Sequence, residues 1–301
     1  AQAAGFAAAD PSLDVGGVDA AHKLALLALL SFGKRVALDS IFVEGIESVR
    51  DYDLAVANDL GYVVRSLAIA SREAEDALRL RVHPVLLPRD HVLAGVHGAY
   101  NAVLVESEAL GRSMYYGQGA GMMPTGVAVT SDIMDVARTI LAHRAGETIK
   151  KDDASQVSPL ASVVGSPMDS LEHANYVCVH VAHVSGVLGR VATILGAHGV
   201  SIAKMRQEHP EGASHARLVI VTEVVSECSV KSIPPPHCAA APAARSSTAA
   251  AAAALEDGAP REGQFRRAAA QCFSVIVGLR PVEVEGRRVG PPRAPVRPPV
   301  E

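Results

Sequence analysis

The stretch "YVVRSLAIASREAEDALRLRVHPVLL" (62–87) determines the predicted fold class, because it contains two strand-like runs in succession. The runs 62–71 and 77–87 are rich in valine, isoleucine and leucine, and the second nearly alternates between apolar and polar residues. A third run of this kind, "AYNAVLVES", follows at 99–107. Helix-like segments lie between and around these runs. The pattern predicts an α+β fold built on a mixed or antiparallel sheet.

Three helices are predicted around these strands. Residues 1–19 contain Pro11, Gly16 and Gly17 and are expected to form a loop, after which Asp19 serves as the N-cap of a helix that ends at Gly33. Apolar residues at helical spacing predict a second helix within 48–61. A third helix, which is amphipathic, is expected over 125–143, directly after the glycine-rich segment "GQGAG" (117–121).

A second unit is predicted to follow a linker at 145–172. Its segment "NYVCVHVAHVSGVLGRVATILGAHGVSIAKMRQE" (175–208) predicts a strand, a helix and a strand, and 216–225 predicts a further strand. This βαββ order is the start of a ferredoxin-like unit, which we place at 173–286. The helix and strand that it still needs are expected within 265–286, after a low-complexity insertion at 232–263. Residues 287–301 are expected to be a disordered tail.

Composition and charge argue against several classes of function. The net charge is −4 and no basic stripe is present, which argues against nucleic-acid binding. The longest apolar runs are too short to span a membrane, and no secretory signal is visible. The four cysteines show no CxxC spacing, which favours a reduced, cytoplasmic chain. The twelve histidines show no HExxH spacing, so no metal site is expected.

The pair Asp19 and Lys23 stands one helical turn apart at the start of the apolar run "LALLALLSFG" (24–33). The run predicts a buried helix, and a buried lysine must be paired or its pKa falls. A paired, partly buried lysine is a candidate proton donor. The spacing is equally that of an ordinary i,i+4 ion pair. The pattern alone leaves both interpretations open.

Four segments resemble the substrate domain of the homoserine dehydrogenases and follow that family's order. They are "ADPSLDVGGVDAAHKLALLALLSFG" (9–33), "FVEGIESVRDYDLAVANDLGYVVRSLAIA" (42–70), "LAGVHGAYNAVLVES" (93–107) and "YYGQGAGMMPTGVAVTSDIMDVAR" (115–138). Together the resemblance extends over residues 5–143. Residues 176–225 resemble the ACT domain that many bacterial members carry at their C-terminus.

The resemblance implies an oxidoreductase that interconverts L-aspartate 4-semialdehyde and L-homoserine with NADP or NAD. It implies that Lys23 donates the proton to the carbonyl oxygen and that Asp19 holds Lys23. Asp14, Asp10 and position 8 would lie near the small-molecule substrate. The resemblance also places Gly117, Gly119 and Thr125 beside the cofactor.

Three departures from the family pattern affect these expectations. Ala8 stands where the family has a glutamate that contacts the substrate amino group, and Phe6 stands where it favours tyrosine. No strand followed by GxGxxG occurs in the sequence, so the family's N-terminal nucleotide-binding domain is predicted to be missing. We therefore expect that this chain alone does not bind NADP productively.

The ACT-like unit also departs from its family. The turn that usually reads Asp-x-Pro-Gly is His183-Val184-Ser185-Gly186 here. The resemblance implies a threonine effector at Ser185, Gly186, Val187 and Leu188, and a homodimer; the alternative is a unit that serves only in assembly. For the whole chain, the alternative to the enzyme is a catalytically inactive amino-acid-binding or oligomerisation module. A shifted reading frame after about residue 228 would explain why the ACT pattern is lost there.

Overall fold

The structure is a computed structural model that describes residues 10–74, 77–145, 162–163, 168–209, 215–233, 245–246 and 274–278. Its helices are α1 (Ser12–Val15), α2 (Val18–Phe32), α3 (Asp51–Asp59), α4 (Met122–Arg144), α5 (Val187–Ala197) and α6 (Glu227–Lys231). Its strands are β1 (Phe42–Val43), β2 (Tyr62–Ala74), β3 (Ala77–Pro88), β4 (Tyr100–Ser107), β5 (Gly111–Gln118), β6 (Ser162–Val163), β7 (Glu172–His173), β8 (Tyr176–Ala182), β9 (Ile202–Glu208), β10 (His215–Thr222), β11 (Val225–Ser226), β12 (Arg245–Ser246) and β13 (Ser274–Gly278).

The first unit is a mixed sheet in the order β1-β3-β2-β13-β4-β5, with β6 beside β3. The long strands β2 and β3 are antiparallel neighbours, as are β4 and β5. Strands β1 and β13 join in parallel. The predicted α+β class with a mixed sheet is therefore confirmed.

Helix α2 covers one face of this sheet, and it buries one side only. Its buried residues are Ala21, Leu24, Ala28 and Phe32, which pack on Ala68, Ala70, Leu78, Leu80 and Val82. Leu26 and Leu30 face outward with 64% and 76% of their surface exposed. The predicted buried helix is therefore buried on one side only, because a helix on one sheet face buries only residues at i, i+3/i+4 and i+7 spacing.

The start of α2 also differs from the prediction. Residues 12–15 form the short helix α1 instead of a loop. The N-cap of α2 is Gly17, with a φ of 80°, and Asp19 is the second residue of the helix. A carboxylate in the first turn still interacts favourably with the helix dipole. The C-terminal stop at Gly33 agrees with the prediction.

The second unit is an antiparallel sheet in the order β12-β8-β10-β9, with α5 packed against it. The elements β8, α5, β9 and β10 reproduce the predicted βαββ order, with bounds within three residues of those expected. Valines of β8 alternate inward at 177, 179 and 181 and form the core with Leu218 and Ile220 of β10.

The end of the chain does not complete this unit as expected. Residues 274–278 form β13 inside the first sheet, parallel to both β2 and β4. The prediction that 265–286 supplies the missing strand of the second unit was wrong in this respect. The run "SVIVG" is almost continuously apolar, which is the pattern of a central parallel strand. Instead, the two-residue strand β12 pairs with β8 at the outer edge.

Several predictions concern residues that the structure does not describe. These are the roles of Phe6 and Ala8, most of the linker 145–172, most of the insertion 232–263 and the tail 287–301.

Contacts at α3 and at the residue that follows it connect the two units. The Tyr176 hydroxyl donates to Oδ1 of Asp53 at 2.6 Å, and Nζ of Lys204 donates to the Leu60 carbonyl at 2.9 Å. The guanidinium of Arg217 lies over the Tyr52 ring, 4.4 Å from its centre. The sheet of the second unit therefore contacts the first unit directly.

Candidate active site

A close approach of two backbone segments shapes the start of α2. The backbone N–H of Ile46 donates to the Val15 carbonyl at 2.9 Å. A Cβ at Gly45 would come within 2.5 Å of that carbonyl oxygen and within 2.9 Å of the Gly16 Cα. A Cβ at Gly17 would meet the Val43 side chain at 3.2 Å. Glycines are thus required where the segment between Asp14 and Asp19 crosses the 43–46 segment.

Lys23 and Asp19 form the predicted ion pair. The Lys23 Nζ donates to Oδ2 of Asp19 at 2.5 Å, across one turn of α2. The two side chains are 47% and 41% exposed, so the expectation that the pair is buried was wrong. The pair lies on the outward side of α2 because the apolar residues that face the sheet occupy the opposite side. It is therefore accessible to a small molecule.

Asp14 lies close enough to this pair for both of its charges to affect the pKa of Asp14. Partial burial, and secondly the negative charge of Asp19, raise the pKa of Asp14, while Lys23 lowers it. The structure therefore brings Asp14, Asp19 and Lys23 into one electrostatic cluster. Asp10 has a structural contact instead, because its Oδ1 accepts a hydrogen bond from the Ser12 N–H at 3.0 Å at the start of α1. That hydrogen bond lowers the pKa of Asp10.

The predicted cofactor loop is partly a strand. Gly117 belongs to β5 and pairs with Asn101, so the loop begins only after Gln118. The Gly119 N–H donates to the Ala99 carbonyl at 3.0 Å, and a Cβ at Gly119 would overlap the Asn101 side chain. Asn101 was not identified from the sequence, because only the strand pairing brings it to Gly119.

Helix α4 begins at Met122, three residues before the predicted start at Thr125. Gly121 is its N-cap, and the Thr125 N–H donates to the Gly121 carbonyl at 3.1 Å. None of the residues of α4 is buried. Its large apolar side chains are exposed: Met122, Met123, Val127, Val129, Ile133, Met134, Val136, Ile140 and Leu141. The helix thus presents an apolar surface beside the glycine-rich turn.

The predicted effector segment lies at the start of α5. Gly186 is the N-cap of α5, with a φ of 83°, and Ser185 is exposed. Val187 is buried in the core of the second unit, and Leu188 packs against that core. Of the four predicted residues, only Ser185 and Gly186 are therefore exposed to solvent.

The described residues contain no group of three or more side chains suited to hold a metal ion. Within the same residues, no helix is long and apolar enough to cross a membrane.

Comparisons with known proteins agree on one family. The model described as homoserine dehydrogenase matches residues 1–134. The homoserine dehydrogenases of Pseudomonas aeruginosa and Synechocystis sp. are 39% and 42% identical to the chain, over 231 and 237 residues. A solved homoserine dehydrogenase from Thiobacillus denitrificans superposes with a TM-score of 0.63 at 35% identity, covering 75% of this chain and 51% of that one. The chain belongs to the homoserine dehydrogenase family.

Each of the two curated homoserine dehydrogenases matches 75% of this chain, whereas the alignment covers 52% of the relative. The chain therefore spans about half the length of the curated relatives it matches. The four segments that resemble the substrate domain lie within the matched region 1–134 except for residues 135–138, and the ACT-like segment 176–225 lies outside it.

Proposed function

We propose that the protein catalyses the NAD(P)-dependent interconversion of L-aspartate 4-semialdehyde and L-homoserine, and that this chain supplies the substrate-binding side of the active site. The observation that carries the proposal is the accessible Lys23–Asp19 ion pair beside Asp14, at the start of α2. These residues lie within the region that matches the homoserine dehydrogenase family.

The chemistry assigns a distinct role to each residue. In the reductive direction, a bound NAD(P)H would supply a hydride to the aldehyde carbon, and negative charge would develop on the carbonyl oxygen. The Lys23 ammonium stabilises that charge and donates a proton to the oxygen. Asp19 orients Lys23 through the 2.5 Å contact. Asp14 accepts hydrogen bonds from polar groups of the substrate in this proposal.

The residues present fit one flank of a nicotinamide cofactor. Gly117 has open space where a Cβ would stand, so a ligand can approach its backbone closely, whereas the corresponding space at Gly119 is filled by the Asn101 side chain. The exposed apolar side of α4 next to this turn suits packing against a further domain. We propose that Gly117, Gly119 and the start of α4 near Thr125 line the cofactor, and that α4 packs on a nucleotide-binding domain.

The test is a chimera in which the nucleotide-binding domain of the Synechocystis homoserine dehydrogenase precedes residue 1. We expect homoserine-dependent NADP reduction, followed at the nicotinamide absorbance band. Substituting Lys23→Met should lower kcat by about 10²-fold or more, whereas Lys34→Met, just beyond the other end of α2, should leave kcat unchanged. Equal activity of the Lys23→Met and parent chimeras would contradict the role of Lys23.

The alternative function is an inactive amino-acid-binding or oligomerisation module. Ala8 favours it, because a substrate ammonium would lack its family partner there. The same chimera separates the two functions. If Ala8→Glu is required before any turnover appears, the chain as it stands is the module; if the parent chimera turns over, it is the enzyme.

We further propose that the second unit is an ACT domain that binds threonine at Ser185 and Gly186 and pairs with a second copy in a homodimer. The βαββ order and the left-handed Gly186 at the start of α5 support this assignment. Threonine should raise the melting temperature of the chain, and Gly186→Val should abolish that rise. The absence of any rise at millimolar threonine would favour a role in assembly alone.

A further inference from the structure

A cavity of about 250 Å³ lies between the two units, where β3 continues past the end of β1. Residues of β2 and β3 line it from the first unit, and the 171–176 segment, Val221 and Val224 line it from the second. Its volume is slightly below the ~300 Å³ at which typical ligand pockets begin, so it suits a small molecule. Most of its lining is apolar, and a few polar groups therefore determine which molecule it can hold.

Arg81 contributes a positive charge to this cavity. Only 3% of its surface is exposed, and its Nε and Nη1 atoms have no hydrogen-bond partner among the described residues. Burial, with the neighbouring Arg79 charge as a second cause, lowers the pKa of Arg81 to about 10, so the guanidinium remains charged at neutral pH. A buried guanidinium with unsatisfied donors is costly. A carboxylate is the group that best satisfies it.

The other buried side-chain atoms of the cavity that have no partner in the described part of the chain are uncharged. Asn175 is 2% exposed, and its Oδ1 accepts no hydrogen bond there. The Nδ1 of His83 lies 3.0 Å from the Pro84 carbonyl, which places the proton on Nδ1 and leaves the buried Nε2 as an acceptor. Burial, followed by the Arg81 charge, lowers the pKa of His83 to about 3, so the ring is neutral. The hydroxyl of Ser48 completes this set. These atoms suit a hydroxyl group of a ligand.

The two carboxylates that line the cavity already have partners. The oxygens of Asp53 accept hydrogen bonds from the Tyr176 hydroxyl at 2.6 Å and from the Arg50 N–H at 3.0 Å. Glu44 also has an interaction partner. Neither carboxylate is therefore free to pair with a ligand ammonium group, whose burial would be costly. The unmatched groups call for a ligand with one negative charge and an uncharged hydrogen-bond donor.

We propose that this cavity binds a small monocarboxylate that has an apolar body and a hydroxyl group. Its carboxylate contacts the Arg81 guanidinium, and its hydroxyl group donates to Oδ1 of Asn175 or to Nε2 of His83. The apolar body contacts Val64 of the first unit and Val221 of the second, so that the ligand links the two units. The site is separate from the Lys23 cluster and from the predicted effector segment at the start of α5.

Four probes of one shape test the assignment: isovalerate, α-hydroxyisovalerate, isovaleramide and L-valine. The first two carry the carboxylate without and with a hydroxyl group. Isovaleramide replaces the carboxylate by a neutral amide, and L-valine replaces the hydroxyl group by an ammonium group. Each is titrated into the full chain, and its dissociation constant is obtained from NMR chemical shifts.

We expect α-hydroxyisovalerate to bind most tightly. Isovaleramide should bind roughly tenfold more weakly than isovalerate, because its contact with Arg81 is not charge-assisted. L-valine should bind more weakly than α-hydroxyisovalerate, because its ammonium group finds no free counter-charge. Equal affinity for isovalerate and isovaleramide would overturn the proposal. The same conclusion would follow if L-valine bound most tightly, or if no probe shifted a resonance at millimolar concentration, since the cavity would then hold water alone.

The variant Arg81→Met should weaken isovalerate binding by roughly tenfold and leave isovaleramide binding unchanged, because only the charged contact is lost. A general disturbance of the fold would weaken both. The matched control is Arg79→Met, because Arg79 is also buried on the same face of β3 but pairs with Glu73 and does not line the cavity. Undiminished isovalerate binding in Arg81→Met, or an equal loss for both probes, would contradict the assigned contact.

A second readout uses the unmodified chain. The Nε–H resonance of Arg81, assigned from its absence in Arg81→Met, should shift on addition of α-hydroxyisovalerate. An unchanged Arg81 resonance, with shifts only near Ser185, would place the ligand at α5 and refute the proposal.

Discussion

Gly17 is the residue at which the geometry of the candidate active-site segment is most constrained. It combines a φ of 80° with a packed environment, because a Cβ there would lie 3.2 Å from Val43 Cγ1 and 3.3 Å from Val82 Cγ1. Gly33, at the other end of the same helix, has a φ of 66° and open space around it. Comparing substitutions at the two glycines therefore separates the cost of the left-handed backbone from the cost of close packing.

Gly17→Ala should lower the free energy of unfolding by more than Gly33→Ala does. Both substitutions carry the left-handed penalty of about 1 kcal/mol, and only Gly17→Ala adds contact with the valines of β1 and β3. Urea denaturation of both variants provides the measurement. Equal losses would mean that the segment around Val43 moves away freely and does not hold the start of α2.

Asp14 should make stability depend on pH. Its pKa is raised in the folded chain, chiefly by burial, so the folded state binds the proton more tightly than the unfolded state does. Ionised Asp14 therefore destabilises the fold, and the chain gains stability from this group as pH falls through the raised pKa toward the ordinary carboxyl range. Asp14→Asn should raise the melting temperature at pH 7 and reduce its change between neutral and mildly acidic pH.

The control for this experiment is Asp10→Asn, which acts in the opposite direction. The hydrogen bond from Ser12 lowers the pKa of Asp10, so its charged form is the stabilising one. Asp10→Asn should thus lower the melting temperature slightly at pH 7. If Asp14→Asn instead lowered the melting temperature at neutral pH, the ionised carboxylate would have an essential partner at the site.

At the scale of elements, local signals predicted the second unit well. Two short-range patterns are the alternating valines of β8 and the glycines that flank α5, Gly186 and Gly199. The observed bounds follow them closely. The pairing of β13, in contrast, depends on long-range contacts. Its partners Leu67 and Ala102 lie more than 170 residues away in the chain, so no local pattern reveals where the strand pairs.

The same distinction separates the two groups of polar residues. The Lys23–Asp19 pair is an i,i+4 contact and was predictable from spacing. Arg81, His83 and Asn175 meet only because β3 and the 171–176 segment come together. The sequence carried a signal for them, since Arg79, Arg81 and His83 recur at every second position of an otherwise apolar strand. In a strand, that spacing places three polar side chains on one face.

Substitutions on the exposed apolar side of α4 should lower activity without changing the free energy of unfolding. Ile133 and Ile140 lie two turns apart on its exposed apolar side, with 63% and 48% of their surface accessible. The double substitution to aspartate should change the free energy of unfolding of the chain by no more than about 0.5 kcal/mol. In the Synechocystis chimera it should abolish activity, because the apolar surface toward the nucleotide-binding domain is lost.

Asp132→Ala with Arg138→Ala serves as the control, since these changes leave the apolar side of α4 intact. It should retain the activity of the parent chimera. If the aspartate variant destabilised the isolated chain by several kcal/mol, α4 would be packed within this chain and would not be available to a further domain.

At the scale of the whole molecule, the contact between the two units depends on a few polar side chains. The hydrogen bond from Tyr176 to Asp53 is short, at 2.6 Å, and burial, followed by the Asp53 charge, raises the pKa of the Tyr176 hydroxyl. Arg206 adds an ion pair to Asp59, at a more exposed position. Because burial strengthens hydrogen bonds to charged groups, Tyr176 should contribute more to the junction than Arg206 does.

Tyr176→Phe should therefore lower the free energy of unfolding by about 1.5–3 kcal/mol, the range for a hydrogen bond to a charged group. Arg206→Met should lower it by less than about 1 kcal/mol, because the Asp59 carboxylate stays in water when its partner is removed. Hydrogen exchange adds spatial resolution: amides of α3 and β8 should lose protection together in Tyr176→Phe. Loss of protection in β8 alone would mean that the two units unfold independently and that Tyr176 stabilises only its own sheet.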